Sequence, residues 1–261
     1  MPARPLVFIT GASSGIGRAL AECYHRAGWR LALVARRELE IKSWASAHQL
    51  SASSYQIYGA DVAQMDSIIA AGQACLQHQG LPDVVIANAG ISVGMDTAER
   101  ADLDVMARVF ATNNLGLAAT FHPFISAMTQ RGSGRLVGIG SVAGIRGLPG
   151  HGAYCASKAA VISYCESLRG ELRGSGVRVV TISPGYVDTP LTRENRYRMP
   201  FLMTPEAFAE SAFKAIETGS SYRVIPWQMG VAAKLLRLLP NPWFDRLLQG
   251  RPRKHRQPPS S

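Results

Sequence analysis

Short apolar runs alternate with longer stretches of helical period along most of this chain. Strand-like runs fall at 6–10, 30–35, 55–59, 83–87, 135–140, 177–182 and 222–226, each short, apolar and bounded by turn residues. Between them lie helical patterns near 15–28, 36–50, 63–79, 98–130, 152–174 and 204–218. Near-continuous apolar strands suit a sheet buried on both faces, and strands that alternate with helices suit parallel pairing through crossovers. With right-handed crossovers the pattern predicts a single α/β domain, a doubly wound parallel sheet of about seven strands flanked by helices. Catalytic residues in such sheets gather beyond the carboxyl ends of the strands, so the segments after 6–10, 83–87, 135–140 and 177–182 are where chemistry is expected.

Two of those segments carry it. Thr10-Gly11-Ala12-Ser13-Ser14-Gly15-Ile16-Gly17 joins the first strand to a helix. Its glycines allow a tight turn and a close backbone approach to a pyrophosphate at the helix N-terminus. Tyr154 and Lys158, in Gly152-Ala153-Tyr154-Cys155-Ala156-Ser157-Lys158, are four apart and share a helix face. A free tyrosine has a pKa of about 10, and a neighbouring cation favours the phenolate. A tyrosine tuned in this way can exchange a proton with a carbonyl or alcohol oxygen.

Taken together, these segments resemble the short-chain dehydrogenase/reductase family, in its short single-domain type, and further motifs follow in family order. Asn88-Ala89-Gly90 follows the fourth apolar run, and Asn113-Asn114-Leu115-Gly116 looks like the family's Asn-x-x-Gly motif. The register of Gly116 selects Asn113 over its neighbour Asn114. Ser141 stands 13 residues before Tyr154, and Pro184-Gly185-Tyr186-Val187-Asp188-Thr189 matches a Pro-Gly-x-Val-x-Thr segment. The resemblance spans residues 10–189 and implies a Rossmann fold holding a nicotinamide dinucleotide. It implies Tyr154 as acid/base, Lys158 lowering its pKa and binding the nicotinamide ribose, Ser141 binding the substrate oxygen, and Asn113 holding a water of a proton relay. It further implies cofactor contacts from Gly11, Ser13, Ser14, Gly15, Ile16 and Gly17, from Asn88, Ala89 and Gly90, and from Pro184, Gly185, Val187 and Thr189. Thr189 would hold the carboxamide. Asp61-Val62 resembles the adenine contact, and Asp61 is equally a candidate N-cap for the next helix.

The choice of nicotinamide falls near residue 36. An NAD enzyme places an acid about 20 residues beyond the glycines to bind the ribose hydroxyls. Here Arg36 stands 19 after Gly17, followed by Arg37. Guanidinium groups bind phosphate in a fork, and cations at a helix start are unfavourable unless an anion is bound. The expected cofactor is NADP(H) in preference to NAD(H). The expected reaction is interconversion of a carbonyl and a secondary alcohol. The other class of function is a catalytically silent nucleotide-binding or membrane-associated regulatory protein on the same fold, and the joint presence of Asn113, Ser141, Tyr154 and Lys158 speaks against it.

Substrate identity is thinly written. The lid, about 189–218, offers apolar Phe201, Leu202 and Met203 for a hydrophobic or lipid-like substrate, or for packing the lid onto the body. Arg193, Arg196 and Arg198 are read as a solvated loop in preference to a site attracting a carboxylate or phosphate, and His151, three residues before Tyr154, as either a substrate contact or a loop histidine with no role.

Composition narrows the setting. The 261 residues are 47% hydrophobic and 18% charged, as in a globular protein that stays in water. No apolar stretch approaches the roughly 20 residues of a membrane span, and Met1–Pro5 runs straight into the first strand, which predicts no secretory signal. Cys23, Cys75, Cys155 and Cys165 form no Cys-x-x-Cys pair and read as free thiols in a reducing cytoplasm, with no metal site. The net charge of +10 comes with no nucleic-acid-binding motif. Residues 1–226 are expected to be the catalytic domain, 227–250 an amphipathic helical extension, and 251–261 a basic disordered tail. The extension combines tryptophans, leucines and basic residues, so 228–250 is a candidate for peripheral contact with the inner face of a membrane. Packing on the protein's own body or a partner subunit is the preferred reading, because short amphipathic helices usually cover cores. The resemblance also implies a homo-oligomer, dimer or tetramer, through the helices near 98–130 and 152–174.

Overall fold

The structure, a computed structural model, describes residues 4–193, 195, 198–250, 254 and 256. Seven strands form one parallel sheet: β1 (Leu6–Thr10), β2 (Arg30–Ala35), β3 (Tyr55–Gly59), β4 (Val84–Ala87), β5 (Gly134–Ile139), β6 (Val177–Pro184) and β7 (Tyr222–Ile225). Their order is β3-β2-β1-β4-β5-β6-β7, so the direction of winding reverses between β1 and β4. In a doubly wound sheet this switch point opens the crevice where ligands bind.

Side chains alternate across each strand, and the two sets build two cores. One face combines Val7 and Ile9 of β1, Leu31 and Leu33 of β2, and Ile86 of β4. It packs on α1 (Gly15–Arg26), α2 (Glu38–Ala47) and α8 (Pro205–Glu217) through Leu20, Tyr24, Ile41, Phe208 and Ile216. The opposite face combines Leu6, Phe8, Val34, Val85, Leu136 and Val179. It packs on α3 (Met65–His78), α5 (Gly116–Arg131) and α6 (Gly152–Glu171) through Ile68, Phe121, Phe124, Val161 and Leu168. A smaller cluster of Val93, Met95, Val105, Val109 and Ala153 fixes the loop after β4 to α4 (Arg100–Phe110) and α6.

The single helix expected near 98–130 is interrupted. A π-helical turn, Ala111–Leu115, joins α4 to α5. The widened turn lets two consecutive side chains reach α6: Asn113 Nδ2 donates to Ser157 Oγ at 2.9 Å and Asn114 Nδ2 to Ser157 O at 2.8 Å. Neighbours in a regular helix point about 100° apart and could not both do this. Asp83, expected in β4, lies before it and accepts a hydrogen bond from Leu6 N at 2.9 Å. Pro184, expected just past β6, is its last residue.

Beyond β7 the chain forms α9 (Trp227–Leu238) and α10 (Asn241–Leu248). The preferred expectation is packing on the protein's own body or on a partner subunit, and the body covers only part of them. Met229, Gly230 and Phe244 are buried, while Trp227 is 67%, Leu238 80% and Trp243 70% exposed. Arg146 holds the junction from the loop after β5. Its guanidinium lies 3.7 Å above the Phe244 ring and donates to Leu236 O, to Leu239 O at 2.8 Å and to Asn241 Oδ1 at 3.1 Å. A cation at a helix C-terminus satisfies carbonyls that have no partner within the helix. We expect Arg146→Ala to loosen α9 and α10, seen as faster amide exchange in 227–248 against unaltered exchange in β1 and β4.

Candidate active site

The glycine-rich turn is built by close backbone contact. Gly11 and Gly15 have φ of +69° and +54°, where a Cβ is disfavoured. At Gly17 a Cβ would lie 2.2 Å from Gly11 O and 2.6 Å from Asn88 Nδ2. Asn88 clamps the turn: Nδ2 donates to Thr10 O at 2.9 Å, and Thr10 Oγ1 accepts from Asn88 N and Ala89 N, both at 3.1 Å. Arg18 reinforces it by donating to Ser13 O. The first and fourth strands are thereby locked together at the mouth of the crevice. Gly17→Ala is expected to displace this turn and abolish nucleotide binding, measured by fluorescence titration. Unaltered affinity would mean the turn does not carry the phosphates.

Around the turn stand groups suited to a dinucleotide. Arg37 Nη2 lies 3.4 Å from Ser13 Oγ and 3.3 Å from Ser14 Oγ, and Arg36 pairs with Asp61 at 3.4 Å. Arg37 also pairs with Glu40 at 3.0 Å. The four charged side chains reach solvent, where such pairs contribute little and yield to a more highly charged anion. Two guanidinium groups and two hydroxyls beside a helix N-terminus with no acid in its first turn fit a phosphorylated ribose. Asp61 is not the N-cap of α3, which begins at Met65 after Gln64; its Oδ1 accepts from Ala63 N at 3.0 Å. Val62 is buried, and its carbonyl abuts Gly116, where a Cβ would stand 2.5 Å from Val62 O. Thr189 lies across from Gly15, whose Cβ would meet it at 3.2 Å. Val187 bridges to Met203, and Gly185 N donates to Ile225 O at 2.8 Å. Ile16 packs against the core.

The four candidate catalytic residues converge. Ser141 caps the short 3-10 turn Val142–Gly144, accepting from Ala143 N at 3.1 Å, and its hydroxyl lies near enough to the Tyr154 phenol to favour the phenolate. Lys158 is buried, donates to Ile139 O at 2.7 Å, and has its Nζ 5.9 Å from the Tyr154 ring centre. Gly90 floors the pocket: a Cβ there would lie 3.2 Å from Asn113 Oδ1 and 3.6 Å from Lys158 Nζ. Asn113, 1% exposed, accepts from Ile91 N at 2.9 Å and donates to Ile91 O at 3.0 Å as well as to Ser157. Its amide therefore pins the loop after β4 to α6.

The expected lowering of the Tyr154 pKa is not produced by the protein's own groups. Burial pushes the Tyr154 phenol up to about 12, with Ser141 pulling the other way. Burial also pushes Lys158 down to about 8. For each group, desolvation of the charged form is the largest cause of the shift. Between about 8 and the ordinary 10.5, the unfolded chain holds a proton on Lys158 that the folded chain has released, so stability rises with pH there. In the absence of nucleotide, wild type is expected to gain Tm relative to Lys158→Met across this window; a constant difference would contradict the shift.

Lid and loop candidates separate. Met203 packs inward and donates from its amide to Tyr186 O at 3.0 Å, whereas Phe201 and Leu202 are exposed. Arg193 pairs with Asp188 at 2.9 Å, Arg198 is exposed, and Arg196 lies outside the described residues. His151 is buried at the start of α6 beside Pro149 O, and burial lowers its pKa. All four cysteines are free and buried.

Sequence reasoning missed Thr10 as a clamp, Ser157 as the shared anchor of two asparagines, and Asp102. Asp102 is a buried carboxylate, 2% exposed, that accepts from Asp96 N at 2.7 Å and Arg256 Nε at 2.6 Å. Lys254 and Arg256, from the tail expected to be disordered, lie against the body; the rest of 251–261 falls outside the described residues. Among the described residues no helix is long and apolar enough to cross a membrane.

Comparison with known proteins agrees with this geometry. The short chain dehydrogenase family model matches residues 5–199. An uncharacterized oxidoreductase of Myxococcus xanthus is 39% identical over 237 residues, covering 91% of this chain and 93% of that protein. A short chain dehydrogenase/reductase of Burkholderia phymatum, solved in complex with NAD, superposes with TM-score 0.81 at 25% identity over 99% of this chain and 98% of that one. A short-chain dehydrogenase of Sphingobium yanoikuyae in complex with NADPH superposes with TM-score 0.76 at 26% identity, over 91% and 97%. With its family model matched over most of its length and its turn, asparagine and Tyr-Lys helix meeting in one crevice, this chain belongs to the short-chain dehydrogenase/reductase family.

Proposed function

We propose that this protein is an NADP(H)-dependent oxidoreductase that interconverts a carbonyl and a secondary alcohol. The observation that carries the reading is the convergence of Tyr154, Ser141 and Lys158 beyond the end of β5, with Lys158 beside Gly90 after β4. When bound, the nicotinamide supplies or accepts the hydride. The chain's own residues bind, orient and move the proton. With its phenol held protonated, Tyr154 is a proton donor at neutral pH, suited to the carbonyl oxygen of a reduction. Ser141 faces the same oxygen, where charge develops. Lys158, fixed by Ile139 O, presents a cation near the phenol and the ribose side of the crevice. Asn113 keeps the loop that carries Asn88, Ala89 and Gly90 in register, and a water-borne relay past Lys158 would run along this wall.

The preference for NADP(H) rests on Arg36 and Arg37 and the absence of an acid at those two positions. A screen of aldehydes and ketones with NADPH and NADH tests the reading; turnover with neither nucleotide would overturn it. Homo-oligomerisation is supported by exposed Leu103, Leu115 and Tyr164 on α4, the π turn and α6. Peripheral membrane contact through 228–250 is supported by the exposed Trp227, Leu235, Leu238 and Trp243 with Lys234 and Arg237 beside them. Light scattering of purified protein and flotation with anionic vesicles test these two. A cytoplasmic site of action follows the reading of the cysteines as reduced thiols.

A further inference from the structure

The end of the chain is bound to the segment that follows β4. Arg256 forms a parallel bridge with Gly94, donates from Nε to Asp102 Oδ2 at 2.6 Å and lies 3.9 Å from Glu99 Oε1. Asp102 is almost wholly buried and also accepts from Asp96 N at 2.7 Å, so one carboxylate holds both the segment and the tail. A buried carboxylate is costly without a charged or hydrogen-bonding partner. Arg256, 154 positions further along the chain, supplies one.

Two residues before Arg256, Lys254 joins two segments that the sheet keeps apart. Its Nζ donates to Ser92 Oγ at 2.9 Å, in the segment after β4, and to Leu191 O at 3.4 Å, in α7 (Pro190–Arg193) after β6. In the sheet β5 lies between β4 and β6, so Lys254 links the segments on either side of the strand that leads to Ser141. At their other ends both segments reach the glycine-rich turn. Asn88 Nδ2 donates to Thr10 O at 2.9 Å and to Gly11 O at 3.4 Å, and a Cβ on Gly15 would meet Thr189 at 3.2 Å. These contacts form a closed ring: the turn, Asn88 to Ser92, Lys254, Leu191 back to Thr189, and the turn again. Lys254 is the member of the ring that the tail contributes.

We infer that the C-terminal tail is a strap: Arg256 docks on Asp102, and Lys254, positioned by that docking, ties the segment after β4 to the segment after β6 and slows release of the nucleotide. This rests on the oxidoreductase reading above and adds a regulation to it. Both tied segments carry residues that the reading assigns to the nucleotide, Asn88, Ala89 and Gly90 on one and Thr189 on the other. Tying them restrains both against the motions that admit and release a ligand, and such motions often set turnover. Lys254 and Arg256 are positioning residues, acting through the segments they hold and not on a reacting atom.

The test compares the full-length protein with Arg256→Gln, Lys254→Gln and Lys254→Arg in two measurements. The first is amide exchange without nucleotide. Both Gln variants are expected to exchange faster at 90–96 and 187–193, with exchange in β1 and β5 unchanged. The second is stopped-flow displacement of bound NADPH. The dissociation rate is expected to rise about tenfold in each Gln variant, with the association rate near wild type and Lys254→Arg in between. A tail that merely stabilised the fold would instead lower Tm and quicken exchange throughout the sheet, which would overturn the inference. Wild-type release rates in both Gln variants would overturn it as well, while the oxidoreductase reading stands. If wild type binds neither NADPH nor NADH, the oxidoreductase reading fails, and exchange alone decides the strap: it stands if the two segments quicken in the Gln variants and falls if they do not.

Discussion

Replacing Tyr154 with Phe is expected to lower kcat/KM for carbonyl reduction about 100- to 10,000-fold, the span attributable to a positioned general acid. The ring sits at the start of α6 with its hydroxyl against Ser141, so the substitution removes one oxygen and little packing. Tm and nucleotide affinity are expected to stay near wild type, which separates lost chemistry from lost structure. The pH profile adds a second check. With Tyr154 protonated up to about 12, what titrates first as pH rises is Lys158, near 8 in the protein's own environment. Loss of its proton removes the cation beside the phenol, so the reductive rate of wild type is expected to fall as pH rises above this point. A Tyr154→Phe protein that keeps most of its activity would remove the phenol from the reaction.

The double change Arg36→Ala/Arg37→Ala is expected to weaken NADPH binding about 100-fold and to leave NADH binding nearly as it was. A hydrogen bond to a charged group contributes about 1.5–3 kcal/mol, and in the proposed mode two guanidinium groups would face the one phosphate that distinguishes the nucleotides. Their pairs with Asp61 and Glu40 lie at the surface and release them at little cost. Fluorescence titration with each nucleotide reads the effect directly. Solved relatives with NAD and with NADPH both superpose on this chain, so the fold does not make the choice. Equal losses for both nucleotides would assign the arginines to the shared pyrophosphate, and no loss would assign them to solvent.

Much of the architecture was legible along the chain because its signals are local. An apolar run such as Leu6–Thr10 needs a buried strand wherever it lies, and Gly11, Gly15 and Gly17 mark a turn that side chains would obstruct. The four-residue spacing of Tyr154 and Lys158 places them together on any helix. The 13-residue gap from Ser141 holds because one turn and one helix start connect them.

What remained for the tertiary structure depends on burial and on contacts distant in sequence. The π turn at Ala111–Leu115 has no pattern of its own; it is fixed by Asn113 and Asn114 both gripping Ser157, more than 40 residues away. The pKa values of Tyr154 and Lys158 reversed the expectation drawn from their pairing, because desolvation is set by everything around a group and not by its helix neighbour. Phe244 is buried under Arg146 while Trp243 beside it faces water, a division that hydrophobicity alone does not make. Lys254 and Arg256 read as tail charges until Asp102, folded into the core 154 residues earlier, is seen to receive one of them. The amino-acid sequence by itself determined the sheet, the turn and the reacting pair. Folding decided which charges meet and which are buried.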